Sequence, residues 1–192
     1  MKTSILVVIV AFASHALSAS FEPADTDELF AAIMAGSLEQ LADCPLHPAR
    51  GCYNASGMTP LLAAVLWDHV HVAQLLMDMG AEVDEPNAEG TTTPLQLAVE
   101  LQKPEMLGAL LDRHARTECS AGTILHWAVE MDKPQAVGFL AAHVPTTATD
   151  HNGATPLHVA AGLGFVGVME ELLRHGADFA AVDPRGWTPL AR

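Results

Sequence analysis

GATPLHVAAGLGFVGVMEELLRHGAD, from Gly153 to Asp178, reads as two short helices joined by a tight turn. Thr155 can cap the first helix, and Pro156 suits its opening turn, where a missing N–H costs little. Leu157 with Ala160 and Ala161 gives that helix a narrow apolar face able to sit close to a neighbour. A second amphipathic helix follows from Val166, carries Leu172 and Leu173, and is stopped by Gly176. The opening motif recurs as GMTPLLAAV from Gly57, TTTPLQLAV from Thr91, GTILHWAV from Gly122 and GWTPLA from Gly186. The threonines Thr59, Thr93, Thr123, Thr155 and Thr188 are 34, 30, 32 and 33 residues apart. A period of about 33 residues marks a two-helix unit that buries its face only by stacking on copies of itself.

Matching second helices are expected at VHVAQLLMDMG from Val70, PEMLGALLDRH from Pro104 and PQAVGFLAAH from Pro134. The stretches GAEVDEPNAEG and GADFAAVDPRG carry the turn residues of projecting fingers. The finger before Thr123 is about three residues shorter than the one before Thr188, and an extra threonine lengthens the approach to Thr93.

These motifs resemble the ankyrin-repeat family, and the resemblance covers essentially all of residues 21–192. It implies an all-α repeat solenoid, a stack of about five repeats with short β-hairpin fingers. Repeats start near residues 25, 57, 90, 121 and 153, with a partial one from 186. The first lacks the Thr-Pro start, yet DELFAAIMAGSLEQLADC aligns by Leu29, Ala32, Gly36 and Leu41, and its polar opening suits an N-terminal cap.

Residues 1–20 read as a secretory signal, with Lys2, an apolar run from Ile5 to Ala13, and cleavage after Ser18 or Ser20. The run is about half of the ~20 apolar residues that span a bilayer, so no membrane insertion is expected after cleavage. The leader looks bacterial and predicts a periplasmic protein; in a eukaryotic source it predicts secretion. With 9 basic and 23 acidic residues the chain carries a net charge of −14, which repels nucleic acid and anionic lipid. Cys44 and Cys52 flank a short proline-rich connection and are expected to form a disulfide, leaving Cys119 unpaired; three unbridged thiols is the alternative.

No phosphate loop, zinc helix, paired-cysteine metal motif or nucleophile elbow occurs, so no catalytic residue, metal or cofactor is expected. His69 and His71 invite a metal reading, but His69 falls where the family carries a histidine at the start of the second helix. The family resemblance likewise makes His126 and His158 structural braces. Asn54-Ala55-Ser56 is a glycosylation sequon, of consequence only in a eukaryote.

The resemblance places partner binding on finger tips and the exposed side of the first helices. Carried over repeat by repeat, that surface is Tyr53, Ser56, Met58, Leu66 and Trp67; Glu89, Thr91, Glu100 and Leu101; Ser120, Glu130 and Met131; His151, Asn152 and Leu163; and Arg185 with Trp187. Trp67 is either an interface anchor or cover for a repeat junction, and Trp187 an anchor or an end seal. Trp127 is expected to pack between helix layers. Glu100 and Glu130 hold equivalent places and are expected to form one acidic patch. One protein partner with a basic or mixed-charge cleft is expected, bound by a monomer. Compartment and fold together resemble immunity or self-protection proteins and suggest an inhibitor of a periplasmic peptidoglycan hydrolase such as a DD-endopeptidase. The alternatives are a partner supporting an oxidative-stress enzyme such as catalase, and a secreted effector binding host proteins.

Overall fold

The computed structural model describes residues 23–42 and 52–191. Cys44 and the leader lie outside these residues. The chain divides into two compact blocks at Pro94/Leu95.

In the N-terminal block, α1 (Pro23–Ala35) and α2 (Leu38–Ala42) form one helix pair, and α3 (Pro60–Leu66) and α4 (Val70–Asp78) the next. Helix α1 packs on α3 and α2 on α4, burying Leu29, Ile33, Leu41, Leu61, Leu62 and Leu76. The polar N-terminal repeat thus aligns as its Leu29 and Leu41 suggest. Thr59 starts α3 as a cap, its hydroxyl accepting the Leu62 N–H at 3.2 Å, with Pro60 in the first turn.

The C-terminal block contains α5 (Pro94–Glu100, whose first residue lies at the boundary), α6 (Pro104–Asp112), α7 (Ile124–Glu130), α8 (Pro134–Ala141), α9 (Pro156–Leu163) and α10 (Val166–Arg174). A 3₁₀ turn, η1 (Pro189–Ala191), follows at the start of the partial repeat. First helices α7, α9 and η1 form one row, while second helices α6, α8 and α10 form another. Ala128 and Ala160 are fully buried, and their small side chains allow the close approach of α7 and α9. The apolar pairs of the second helices supply the core with Leu110, Leu140 and Leu172.

The fingers differ from the expected series of β-hairpins. Among the described residues only the short one forms a ladder, with β1 (Glu118–Cys119) antiparallel to β2 (Gly122–Thr123). The others close on a side chain. Oδ1 of Asn54 accepts the N–H groups of Ser56 and Met58, and that of Asp150 those of Asn152 and Ala154. Asn87 does the same for Thr91 and Thr92, and Asp183 for Arg185 and Trp187. Each of these fingers also keeps one backbone bond across it, the N–H groups of Asn54, Asn87, Asp150 and Asp183 donating to the carbonyls of Met58, Thr92, Ala154 and Trp187, so the side-chain turn stands beside that bond in place of a two-residue ladder. The short finger has Glu118 in the corresponding place, five residues before its threonine, and there backbone pairing takes over.

Each of the four described first helices that opens on a motif threonine ends in a left-handed residue nine places after it. These are Asp68, Gln102 and Asp132, with φ of 60°, 53° and 54°, and Gly164 at 72°. Only Gly holds this conformation without a Cβ penalty. Asp132→Gly is therefore expected to raise stability by about 0.5–1 kcal/mol, the relief of strain exceeding the added freedom of the unfolded chain. Urea unfolding checks this, and an unchanged or lowered midpoint would contradict it. Gln102 is a poorer choice, because its Oε1 accepts the Gln135 N–H at 3.3 Å.

Candidate protein-binding surface

The threonine–histidine pairs fix where the surface residues stand. His126 is fully buried, with Nδ1 3.3 Å from the Thr123 amide nitrogen and 2.9 Å from its hydroxyl. Its Nε2 lies 3.0 Å from the Ala154 carbonyl. A carbonyl only accepts, so Nε2 carries the proton and Nδ1 accepts from Thr123. His158 repeats the arrangement, accepting from Thr155 and donating to the Trp187 carbonyl at 2.9 Å. Each histidine thus caps its own helix and pins the next finger. Burial depresses the His126 pKa, with partial opposition from its hydrogen bond to Ala154 and from Asp150 and Glu130. In the N-terminal block, His69 Nε2 lies 3.1 Å from the Met34 carbonyl, so it too braces one helix pair against another. No group of His, Cys, Asp or Glu suited to a metal occurs among the described residues.

Within the N-terminal block, Trp67 follows the last residue of α3 and is 49% exposed, while Leu66 is half-buried. Tyr53 is half-buried, and its hydroxyl donates to Glu85 at 3.3 Å across to the next finger. Ser56 and Glu89 are exposed tip residues; Met58 is half-buried. Thr91 is exposed but held by Asn87, whose Nδ2 donates to its hydroxyl at 3.0 Å. The Ala88 N–H donates to the Gly57 carbonyl at 2.8 Å, tying these two fingers together through the backbone.

Within the C-terminal block, Glu100 and Glu130 are the last residues of α5 and α7, followed by Leu101 and Met131. Glu130 and Met131 are exposed; Glu100 and Leu101 are half-buried. Leu163 closes α9 and is 49% exposed. Ser120, His151, Asn152 and Arg185 are exposed on finger tips. Trp187 is 46% exposed, although its backbone is held by Asp183 and His158. Trp127 is half-buried with its Nε1 enclosed and without a hydrogen-bond partner.

Burial lifts the Glu100 carboxyl above its ordinary pKa, and Lys133 pulls the other way. Its ionisation therefore opposes folding once the pH passes the ordinary carboxylate range. Glu100→Gln is expected to raise the thermal midpoint modestly at pH 7 and to give no gain near pH 4. A thermal melt series across that range checks it; a lower midpoint at pH 7 would contradict it. Burial also raises the Cys119 pKa, partly offset by hydrogen bonds to the Ala121 and Gly122 backbone, while Glu130 adds to the rise. The closing residues Asn54, Asn87, Asp150 and Asp183 were not evident among the candidate residues, although an Asx five or six places before four of the five motif threonines was available as their signal. Exposed Val166, Leu173, Phe179 and Val182 near the C-terminus were also missed: α10 carries Val166 and Leu173 beyond its core stripe, and Phe179 and Val182 lie in the finger that follows it.

A family model described as ankyrin repeats in three copies matches residues 29–121 and 125–192. Glycerophosphocholine phosphodiesterase GDE1 of Candida albicans is 30% identical over 148 residues, covering 70% of this chain and 12% of that protein. NF-kappa-B inhibitor alpha of Sus scrofa is 37% identical over 102 residues, covering 48% of this chain and 32% of the relative. The chain thus spans well under half the length of either. Among solved structures, the ankyrin-repeat protein EF0377 matches with a TM-score of 0.63 and 22% identity, over 90% of this chain and 91% of that one. The ankyrin-repeat domain of Bcl-3 matches with a TM-score of 0.50 and 24% identity, over 85% and 92%. At those identities the two structures bear on the fold alone.

Proposed function

The chain belongs to the ankyrin-repeat family, and on that footing we propose that it is an exported protein-binding module that blocks a cell-envelope hydrolase, with peptidoglycan DD-endopeptidases as the leading target class. The observation that carries this reading is the set of large apolar side chains left open at first-helix ends and a finger tip. Trp67, Met131, Leu163 and Trp187 are 38–49% exposed where the repeat core needs no such residue. Tryptophan and methionine are enriched at interfaces. The acidic balance of the chain favours a cleft flanked by basic residues. A backbone held by capped helices and closed fingers loses little freedom on docking.

The leader-like residues 1–20 support export, and one relative carries the word inhibitor in its name, so an ankyrin chain acting by blockade has a counterpart. The match to a phosphodiesterase covers only 12% of that protein, while the ankyrin-repeat model covers residues 29–121 and 125–192 here, which supports binding over catalysis. The test is titration of a purified DD-endopeptidase with the mature chain. The rate of peptidoglycan cleavage should fall to near zero at one equivalent; an unchanged rate at excess protein would end the reading.

A further inference from the structure

In the C-terminal block the residue eight places after each complete-repeat threonine is aliphatic: Leu101 after Thr93, Met131 after Thr123 and Leu163 after Thr155. Leu163 ends α9, whereas Leu101 and Met131 immediately follow α5 and α7. None is a buried core residue, and Met131 and Leu163 are 38% and 49% exposed. Their turns are successive rungs. Gln102 accepts the Gln135 N–H, Glu100 feels the charge of Lys133, and α7 packs on α9.

Carboxylates border this row. Glu100 and Glu130 precede Leu101 and Met131, and Asp132 follows Met131. Lys133 stands against Glu100, whereas Glu130 and Asp132 are exposed with no ion pair among the described residues. Lys103 and Lys133 stand two places after Leu101 and Met131, so three carboxylates against two lysines leave a net charge of −1, concentrated at the exposed Glu130 and Asp132 of the middle rung, which complements a cationic apolar partner.

Spacing selects the partner's conformation. Packed helices lie about 8–10 Å apart, so the row advances by about that distance per repeat. A partner helix places residues seven apart on one face about 10.5 Å from each other. A strand places same-face neighbours about 6.6 Å apart, which falls out of step with the row. Polyproline ligands dock in aromatic-lined grooves, whereas flexible Leu and Met side chains suit a helix laid along a groove. We propose that Leu101, Met131 and Leu163, bordered by Glu100, Glu130 and Asp132, seat a cationic amphipathic helix with an apolar residue at every seventh position. This rests on the assignment of the first-helix ends as the binding face, but not on the partner being a hydrolase.

The test is fluorescence anisotropy with the full mature chain and three labelled peptides of about 20 residues. One has Leu at every seventh position with Lys beside each, the second has Glu in place of Lys, and the third is a proline-rich isomer with Leu at every third. The Lys helix should bind, about tenfold more tightly than its Glu counterpart, and weaken about tenfold between low salt and about 0.5 M salt. The exposed double change Met131→Ser/Leu163→Ser should weaken it about tenfold. Glu130→Gln/Asp132→Asn should flatten the salt dependence, providing a second reading that does not touch the apolar row. Failure of the Lys helix to bind, equal affinity for the Glu peptide, tighter binding of the proline-rich isomer, or indifference to both variants would overturn the proposal. A hydrolase that is blocked while no helix docks would overturn this inference alone; a helix that docks without any hydrolase being blocked would overturn the inhibitor reading alone.

Discussion

His126→Ala is expected to destabilise the protein by about 2–4 kcal/mol, the larger of two structural losses foreseen for single substitutions. The imidazole is fully buried, so its removal opens a cavity between repeats. It also removes the acceptor of the Thr123 N–H and hydroxyl, a loss comparable to that of a helix cap, about 1 kcal/mol. The Ala154 carbonyl keeps the Asp150 N–H but loses the imidazole, and a lost hydrogen bond costs about 1 kcal/mol more. Urea unfolding followed by far-UV circular dichroism measures the sum, and a cost below about 1 kcal/mol would show that the brace is dispensable.

The same residue ties stability to pH. His126 makes its bonds only as the neutral Nε2–H tautomer, and burial holds its pKa below the ordinary 6.5. The unfolded chain therefore takes up a proton first. This contribution is complete above about pH 6.5 and is lost as the pH falls through the depressed folded value. Asp150 and Asp183 continue the trend at lower pH. Burial pushes Asp150 up, but the Ala154 and Asn152 N–H groups bring it below its ordinary 3.8, and the Trp187 N–H foremost lowers Asp183. Unfolding midpoints should fall from pH 7 to pH 5, and His126→Gln should flatten that segment. An equally steep fall in the variant would assign the dependence to other groups.

Gly153→Ala is expected to cost about 2–3 kcal/mol, although it adds one methyl group at a finger tip. Gly153 has φ of +74°, where an alanine carries a strain of about 1–2 kcal/mol. A Cβ there would also overlap the Pro184 ring of the next finger, coming within 2.7 Å of Cδ and closer still to Cγ. A proline ring cannot rotate away, so the backbone of one finger must shift. Gly176→Ala provides the comparison. It has a similar φ of +79° but nothing within 4 Å of the added carbon, so it should show the backbone strain alone. Equal costs for the two would contradict the finger-on-finger contact.

The stack of helix pairs could be read from the sequence because Thr155, Pro156 and Leu157 act locally, and each repeat restates them. The histidine braces were read from family resemblance, and the observed geometry supplies their physical reason. The fingers were read less well. The fingers differ at one position: an Asx as at Asp150 adds side-chain acceptance to the backbone bond across the finger, whereas Glu118 stands there in the one finger that pairs as a two-residue ladder among the described residues. Residue type alone also did not set exposure at the candidate surface. Glu100 and Glu130 hold equivalent places, yet Glu100 is half-buried beside Lys133 while Glu130 stands exposed. Such differences arise from packing between neighbouring repeats, which helical periodicity does not encode.

The decisive measurement is the inhibition of a purified DD-endopeptidase by the native chain and by the exposed-site Glu130→Lys variant, each checked for an undiminished thermal midpoint. Native protein should extinguish peptidoglycan cleavage at one equivalent, and the reversed charge should raise the inhibition constant about tenfold or more. Cleavage that continues unchanged in the presence of excess native protein, or that is suppressed equally by the charge-reversed variant, would contradict inhibition through this face.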